Sequence, residues 1–592
     1  MTEEALEIAT GNLVRRLLDA RNQNGHWEGR LASSALSTAT AVVALSLADR
    51  KKFDDLIQSG VDWLATHQNS DGGWGDTVLS ISNISTTSLA WAALAIAAPD
   101  RYTAVEEKAE AWLVNCAGSL HPQDLALAIS RRYGKDSTFS IPILTVLALA
   151  GKFGTGPHAW RRVMQLPFEL AAFPRRWFNK LGLPVVSYAL PALIAIGQLR
   201  HKRAPTRNPL TRVLRTLTRS RTLRLLDQIQ PSSGGFLEAT PLTSFVVMSL
   251  VAAGETSHIV VERGAEFLKR SHRDDGSWAI DTNLATWVTT LSVNALGGLP
   301  DPADRDKILA WLIGQQYREV HAYTLAPPGA WAWTDLPGGV PDADDTSGAV
   351  LALHNLAPES PEARDAAIRG IEWLAGLQNA DGGIPTFCRG WGKLPFDRSS
   401  PELTAHALLA WSAWFEDLPK LLRDSIRSAS QRAVAYLKES QQPGGAWIPL
   451  WFGNQFAPND HNPVYGTSRV LIALGANLPA AVPPDIVRAA LDWLVAAQNP
   501  DGGWGGAPGI ASSLEETAVA LHACTAHARA ISEPVIRRAT EFLTQATEQG
   551  RRTVPSPIGF YFASLWYFEE LYPLIFSTAA FHRVLDLKLP HP

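Results

Sequence analysis

The sequence predicts an all-α fold, and three observations carry that reading. One short unit recurs along the chain: an amphipathic helix ending in Gln, a glycine-rich turn, then an aromatic. It is cleanest in DWLATHQNSDGGWG (Gln68, Trp74) and DWLVAAQNPDGGWG (Gln498, Trp504). Apolar residues elsewhere recur at helical spacing, as in 34–48, 103–117 and 516–531. Alternating runs of β-branched residues, the mark of half-buried strands, are scarce.

Taken in order, LLDARNQNGHW ends at Trp27, and LLDQIQPSSGGF, ending at Phe236, is a decayed copy. LKRSHRDDGSW reaches Trp278 without the Gln, EWLAGLQNADGGI has Ile384 in the aromatic place, and AYLKESQQPGGAW carries Gln441 and Trp447. From Gln378 to Gln441 to Gln498 the step is about 60 residues, room for two helices and their connections. Such units bury their apolar faces only against neighbouring copies, so periodicity implies a closed or stacked helical array. The Gly lets the chain turn, and the Gln can bond backbone groups left free at helix ends. These Gln and Trp residues are read as structural, not catalytic.

Residues 155–225 differ. Aromatics, prolines and arginines surround the apolar run LPVVSYALPALIAIGQL (183–199), too short and too Pro-rich to span a bilayer. LTRVLRTLTRSRTLRLL (210–226) follows, a basic amphipathic helix of the kind that lies in a membrane interface. A core helix followed by a solvated basic helix is the competing reading. The mixture of aromatic and basic residues favours monotopic contact.

The formal net charge of −4 gives no nucleic-acid signal. Cys116, Cys388 and Cys524 are too scattered for a disulfide framework, which favours a reducing compartment. The first residues lack the charged and apolar regions of a signal peptide.

GAWAWTDLPGGVPDADDTSGAVLAL places Asp342, Asp344 and Asp345 within four positions where a loop enters a helix. Acidic residues cap helix N-termini and complement the dipole, which is one explanation of the cluster. Carboxyls crowded into an apolar pocket cannot all ionise, however, so at least one stays protonated and can serve as a Brønsted acid. Metal ligation is disfavoured: DDxxD followed by a second acidic motif is missing, and so is HExxH.

PDADDT resembles the DxDD signature of class II terpene cyclases, and with the repeated QxxxGGW units the chain resembles a squalene–hopene cyclase along almost its whole length. The resemblance implies two α/α double barrels with a cavity between them. The catalytic one would comprise residues 1–20 plus 300–592, and the second 21–299 with the membrane-facing segment at about 155–225. It also implies a polycyclisation without metal or organic cofactor, in which Asp344 protonates a terminal alkene, with Asp342 and Asp345 as helpers. His406, in PELTAHALLAW, would hold the acid, with Glu402 replacing the usual nearby Asp. Trp333, Phe387, Trp287, Trp451, Tyr465 and Phe560 match pocket aromatics, which steady cations through their faces.

The resemblance implies squalene as substrate, taken from the bilayer by a monotopic homodimer on the cytoplasmic side of the membrane. DADDT favours an unactivated alkene over an epoxide. The lining departs from the family at ALSTATAV, at Pro184, at SSLEETAVAL and at VPSPIGFYF, where Pro557 or Ile558 stands in an aromatic's place, so another linear polyprenoid or modified squalene is the alternative. A glycan-processing α/α barrel would draw its two acids from separate elements about 5–9.5 Å apart, unlike DADDT. A non-catalytic lipid-binding scaffold would not need the acid set with His406.

Overall fold

The computed structural model describes residues 3–134, 137–299, 301–560 and 565–587, with the side chains of 137, 138 and 560 outside that description. After α1 (Glu3–Asp19) the chain forms α2 (Ala35–Asp49), α3 (Asp54–Thr66), α4 (Ile84–Ala97), α5 (Thr103–Ala117), α6 (Pro122–Tyr133) and α7 (Ser137–Leu149). Short α8 (Gly156–Ala159) and α9 (Arg175–Lys180) lead to α10 (Val186–Arg203), α11 (Pro209–Ile229), α12 (Thr240–Ala252) and α13 (Ile259–Arg270). Then come α14 (Ala285–Leu296), α15 (Pro302–Gly314), α16 (Ala343–Leu356), α17 (Pro361–Leu377), α18 (Pro401–Trp414) and α19 (Lys420–Ser440). The last are α20 (Pro463–Leu474), α21 (Pro484–Ala496), α22 (Leu514–Ala526), α23 (Glu533–Ala546) and α24 (Tyr572–Asp586).

Hydrophobic pattern sorts these helices into two layers. α4 is buried along nearly its whole length and becomes an inner helix. α21 buries only Ile486, Ala490, Leu491 and Leu494, one stripe, and becomes an outer one. The inner helices close two rings. In one, α2, α4, α7, α10 and α12 pack in succession and α12 returns to α2. In the other, α14, α16, α18, α20, α22 and α24 do the same, with α24 back on α14 and α1 outside α24. Each ring has its own apolar core, and Trp333, Trp451 and Leu565 pack against both. A division at 299/300 would separate α14 from its ring neighbours α16 and α24; the packing favours a boundary before Ala285.

The recurring unit is a hydrogen-bonded staple. Nε2 of Gln68, Gln230, Gln378, Gln441 and Gln498 donates both to the carbonyl of the turn Gly four residues on and to a carbonyl of the next outer helix. The Trp indole N–H reaches back to a Leu carbonyl of the preceding outer helix, as in Trp74 to Leu64 (2.9 Å) and Trp504 to Leu494 (2.8 Å). Its backbone N–H donates to a Thr hydroxyl on an inner helix, Thr87 for Trp74 and Thr517 for Trp504. Ile384 keeps that last bond, to Thr404. A copy passed over in the sequence pairs Gln316 with Trp331, whose Nε1 bonds the Leu312 carbonyl. Trp278 donates to Thr38 and Trp27 to Thr289, so these two staples close the rings end to end. At Gly382, with φ +89°, a Cβ would stand 2.3 Å from the Arg432 carbonyl, so only glycine fits that turn.

Little strand is present. β1 (Ser33–Ser34) pairs with β2 (Trp278–Ala279), and β3 (Phe452–Gly453), β4 (Ile558–Phe560) and β5 (Leu565–Tyr567) form a small antiparallel sheet. Asp76, in the loop before α4, accepts from Trp566 N–H at 2.8 Å and so ties the β4–β5 hairpin to the first ring.

The apolar run 183–199, expected at the membrane, is mostly α10, an inner helix with Tyr188, Leu190, Ile194, Ile196 and Leu199 buried. Among the described residues no helix is long and apolar enough to cross a membrane.

Candidate active site

A cavity of about 1190 Å³ lies between the rings, reached by the first turns of inner helices from both: Leu36 of α2, Tyr188 of α10, Pro241 and Leu242 of α12, Trp287 of α14, Asp344 and Asp345 of α16 and Tyr572 of α24. Asp342 also lines it. Because the N-terminal ends of these helices converge there, side chains placed early in an inner helix become cavity wall.

Asp342 is the N-cap of α16: its Oδ1 accepts the Asp345 N–H at 2.9 Å, while its own N–H donates to the Trp331 carbonyl. Asp342 Oδ2 and Asp345 Oδ1 are buried without an ordinary donor, and one proton held between the two carboxyls satisfies both. Burial pushes the Asp342 carboxyl up to about 7, with the neighbouring Asp344 charge adding to it. Burial, and then the Asp342 charge, drives the Asp345 carboxyl well above the usual carboxylate range. Asp344 Oδ1 and His406 Nδ1 share a hydrogen bond of 2.5 Å. Burial pulls the imidazole of His406 below its ordinary value against the opposing pull of Asp344, so it is held neutral.

Glu402 sits one turn before His406 but serves elsewhere. Its Oε1 accepts the N–H groups of Leu450 (2.8 Å) and Trp451 (3.1 Å), and Oε2 bonds the Ser400 hydroxyl. It fixes the loop carrying Trp451 and does not partner His406. Burial raises its carboxyl too, against those donors.

Four of the expected aromatics reach the cavity wall: Trp333, Phe387, Trp287 and Trp451. Phe387 meets the edges of Trp333 and Trp451 at 6.4 and 5.8 Å, and Trp451 Nε1 donates to Thr386 Oγ1 at 2.6 Å. Thr386 in turn accepts the Ala343 N–H through its carbonyl, so this shelf is fixed to the acid turn. Trp287 stands edge-on to His406 at 6.2 Å and donates to the Tyr572 hydroxyl at 2.9 Å. Tyr465 does not line the cavity; it is buried behind Phe452, ring centroids 4.7 Å apart. The side chain of Phe560 lies outside the described residues.

Sequence reasoning missed several wall residues. Tyr567 and Tyr572 pair through their hydroxyls at 3.0 Å, and the charges of Asp344 and Asp345 act on Tyr567. Tyr188, Phe396, Phe452 and Asp281 also line the cavity. Tyr572 was discoverable, since it opens an inner helix just as the acid motif does. The departure at SSLEETAVAL is a buried lock: Glu516 Oε1 accepts from Asn454 (2.9 Å) and Asn462 (3.0 Å), while Glu515, its carboxyl raised by burial to about 8, binds Ser556.

The wall can thus place a carboxyl group against an apolar chain and surround a resulting cation with aromatic faces. The family model described as squalene-hopene cyclase C-terminal domain matches residues 4–117 and 283–551, more than half of the chain. An enfumafungin synthase of Hormonema carpetanum is 25% identical over 637 residues, 93% of this chain but only 46% of that protein. The squalene–hopene cyclase of Alicyclobacillus acidocaldarius is 26% identical over 542 residues, 78% of this chain and 77% of that one. Among solved structures, ent-copalyl diphosphate synthase from Streptomyces platensis superposes with a TM-score of 0.58 at 17% identity, covering 98% of this chain and 99% of its own, and shares the fold.

Proposed function

Because the chain belongs to the squalene–hopene cyclase family and is a class II terpene cyclase, we propose that its substrate is squalene and that Asp344 starts the reaction. One observation carries this reading: Asp344, bonded to His406 at 2.5 Å, lines a largely apolar cavity whose wall includes several aromatics. A neutral His406 donating from Nδ1 to Asp344 Oδ1 leaves the other carboxyl oxygen to hold the proton. That oxygen protonates the terminal alkene, and each double bond in turn attacks the cation just formed. Asp342 and Asp345, sharing a proton, limit the negative charge beside the acid. Trp287, Trp333, Phe387 and Trp451 offer cation–π attraction of about 0.5–2 kcal/mol each. Hopanoid-type triterpenes are the expected products.

The chain draws this substrate from a membrane surface. The cavity wall includes Met164, Leu166, Leu394 and Phe396. Nearby segments leave Leu170, Phe173, Trp177, Leu181 and Trp391 exposed. Arg176 and Lys180 border these groups, and α11 exposes Leu210, Val213, Leu214 and Leu217 on one stripe. Apolar groups beside cations suit an interface with anionic lipid.

A shorter or modified polyprenoid is the second reading, favoured by Glu515 and Glu516, which build a lock where the family's lining differs. Incubating detergent-solubilised protein with squalene, followed by gas chromatography–mass spectrometry, tests the proposal. Cyclised C30 products from the wild type, reduced more than a thousandfold in Asp344→Asn, are expected. A folded wild type inert on squalene rejects that substrate.

A further inference from the structure

Among the described residues, no side chain of α18, α20 or α22 belongs to the cavity wall, although these are inner helices of the second ring. The small sheet does belong to it, through Phe452 of β3 and Leu565 and Tyr567 of β5. Leu565 and Tyr567 stand two apart on one strand and share a face, while Trp566 between them is buried on the other. Tyr567 also reaches further along the wall. Its hydroxyl pairs with that of Tyr572, which accepts from Trp287, the ring edge-on to His406. Where this sheet sits therefore decides where several aromatic groups sit.

Each strand is tied to a buried carboxyl outside the sheet. For β5 it is Asp76, which accepts the Trp566 N–H. For β3 it is Glu516: Asn454, the residue after the strand, donates to Glu516 Oε1 at 2.9 Å. For β4 it is Glu515, which takes both the N–H (2.8 Å) and the hydroxyl (2.7 Å) of Ser556, two residues ahead of the strand. Glu516 Oε1 also accepts from Asn462, the N-cap of α20, and Oε2 accepts the hydroxyl of Ser513, the N-cap of α22. Both Asn side chains have a fixed orientation, because their Oδ1 atoms accept the N–H groups of Phe456 and Tyr465. Glu515 and Glu516 are 1% and 2% exposed, and neither lines the cavity. Burying two adjacent carboxyls is costly unless their bonds are satisfied, and here those bonds run to the chain on either side of the wall strands.

We propose that Glu515 and Glu516 are positioning residues that determine product specificity, holding β3 and β4 so that Phe452 and Tyr567 keep their places against the cation. The role rests on the cyclase reading above. Cation–π attraction requires the charge within about 6 Å of a ring, so a wall that shifts changes which cation is steadied longest, and with it the ring pattern of the product. A site whose supporting bonds are lost keeps its residues but loses its precision. The acid turn is held by Trp331 and Thr386, outside this sheet, so initiation survives the loss of either tie.

The test compares wild type, Glu515→Gln, Glu515→Ala and Ser556→Ala on squalene, with products resolved by gas chromatography–mass spectrometry and thermal midpoints recorded. Ile308→Ala, at a buried position of outer helix α15, is the control for lost stability alone. The Gln amide can accept the Ser556 N–H and donate to its hydroxyl oxygen, so Glu515→Gln should keep the wild-type profile. Glu515→Ala should consume squalene within tenfold of the wild-type rate while products other than the main wild-type one rise at least fivefold in share. Ser556→Ala, which removes the hydroxyl bond and keeps the backbone one, should shift the same products to a smaller extent. Ile308→Ala should lower the thermal midpoint and leave the profile unchanged. An unchanged profile in folded Glu515→Ala overturns the proposal, and so does the same altered profile in Ile308→Ala, because lost stability then suffices. If Glu515→Ala does not fold, Ser556→Ala decides, and an unaltered profile there overturns the proposal. A wild type that converts only a shorter polyprenoid removes squalene, and the same comparison is read on that chain; a wild type that converts neither overturns both readings.

Discussion

Asp342→Asn should change the pH dependence of stability while leaving the helix start intact. Asn caps a helix as well as Asp does, and its amide can donate to the Asp345 oxygen that otherwise shares a proton. The side chain is fully buried, so solvent screening does not discount the effect. Moving one carboxyl from its ordinary 3.8 to about 7 on folding is worth about 4 kcal/mol. The sign follows from proton binding. Between about pH 4 and pH 7 the native state holds this proton and the unfolded chain does not, so stability is full below that window and falls as pH rises through it. With about 2.1 cal/mol/K of unfolding entropy per residue, a chain of 592 residues should lose roughly 3 °C of thermal midpoint from this group. Thermal midpoints of wild type and variant, measured from pH 4 to pH 8, should start together and separate by about that amount as pH rises, the variant becoming the more stable. Parallel curves across the range would refute the idea that a shared proton occupies the Asp342–Asp345 pair.

Glu402→Gln keeps an oxygen for the Leu450 and Trp451 N–H groups and should retain turnover within about threefold. Glu402→Ala leaves two buried donors unpaired at about 1–3 kcal/mol each and should shift the product profile by displacing Trp451; steady-state rates and chromatography of both variants decide this. Trp177→Ser combined with Leu181→Ser should at least halve sedimentation with phosphatidylcholine–phosphatidylglycerol vesicles, with turnover of detergent-dissolved squalene unchanged, and undiminished sedimentation would place the membrane face elsewhere.

Much of the site was legible because its acid is written in one helical turn: three Asp within four positions fix both the cap and the crowding. Residues whose roles depend on neighbouring elements were harder. Glu402 lies four residues before His406, a spacing that puts both on one helix face, yet the N–H groups of Leu450 and Trp451 claim its carboxylate. Tyr465 stands in the first turn of an inner helix, as cavity residues on other helices do, but is shut off by Phe452, which no local pattern reveals. The staples show the same division. Gln, Gly and Trp lie close in sequence and are visible, whereas the Thr that completes each bond set lies on another helix; for Trp278 it is Thr38, far back in the chain. The Gln316–Trp331 copy escaped because fifteen residues separate its ends, against six for Gln68 and Trp74. Asp281 sits in a loop without a motif, and only its bond to Trp333 marks it.

The way the rings close has a bearing on how the chain is made. The five-helix ring is contiguous from α2 to α13, so it can shut as soon as Trp278 has emerged to meet Thr38, before α14 to α24 are made. The six-helix ring has no such early option. Its outer helix α1 is made before α2, yet the surface it covers belongs to α24, which follows every other helix of that ring. Until α24 is made, Leu6, Leu13 and Leu17 await the partner that covers them. The nascent chain therefore passes through a long interval with one finished ring, one open ring and a sticky leading helix, and assistance from a chaperone would matter most there.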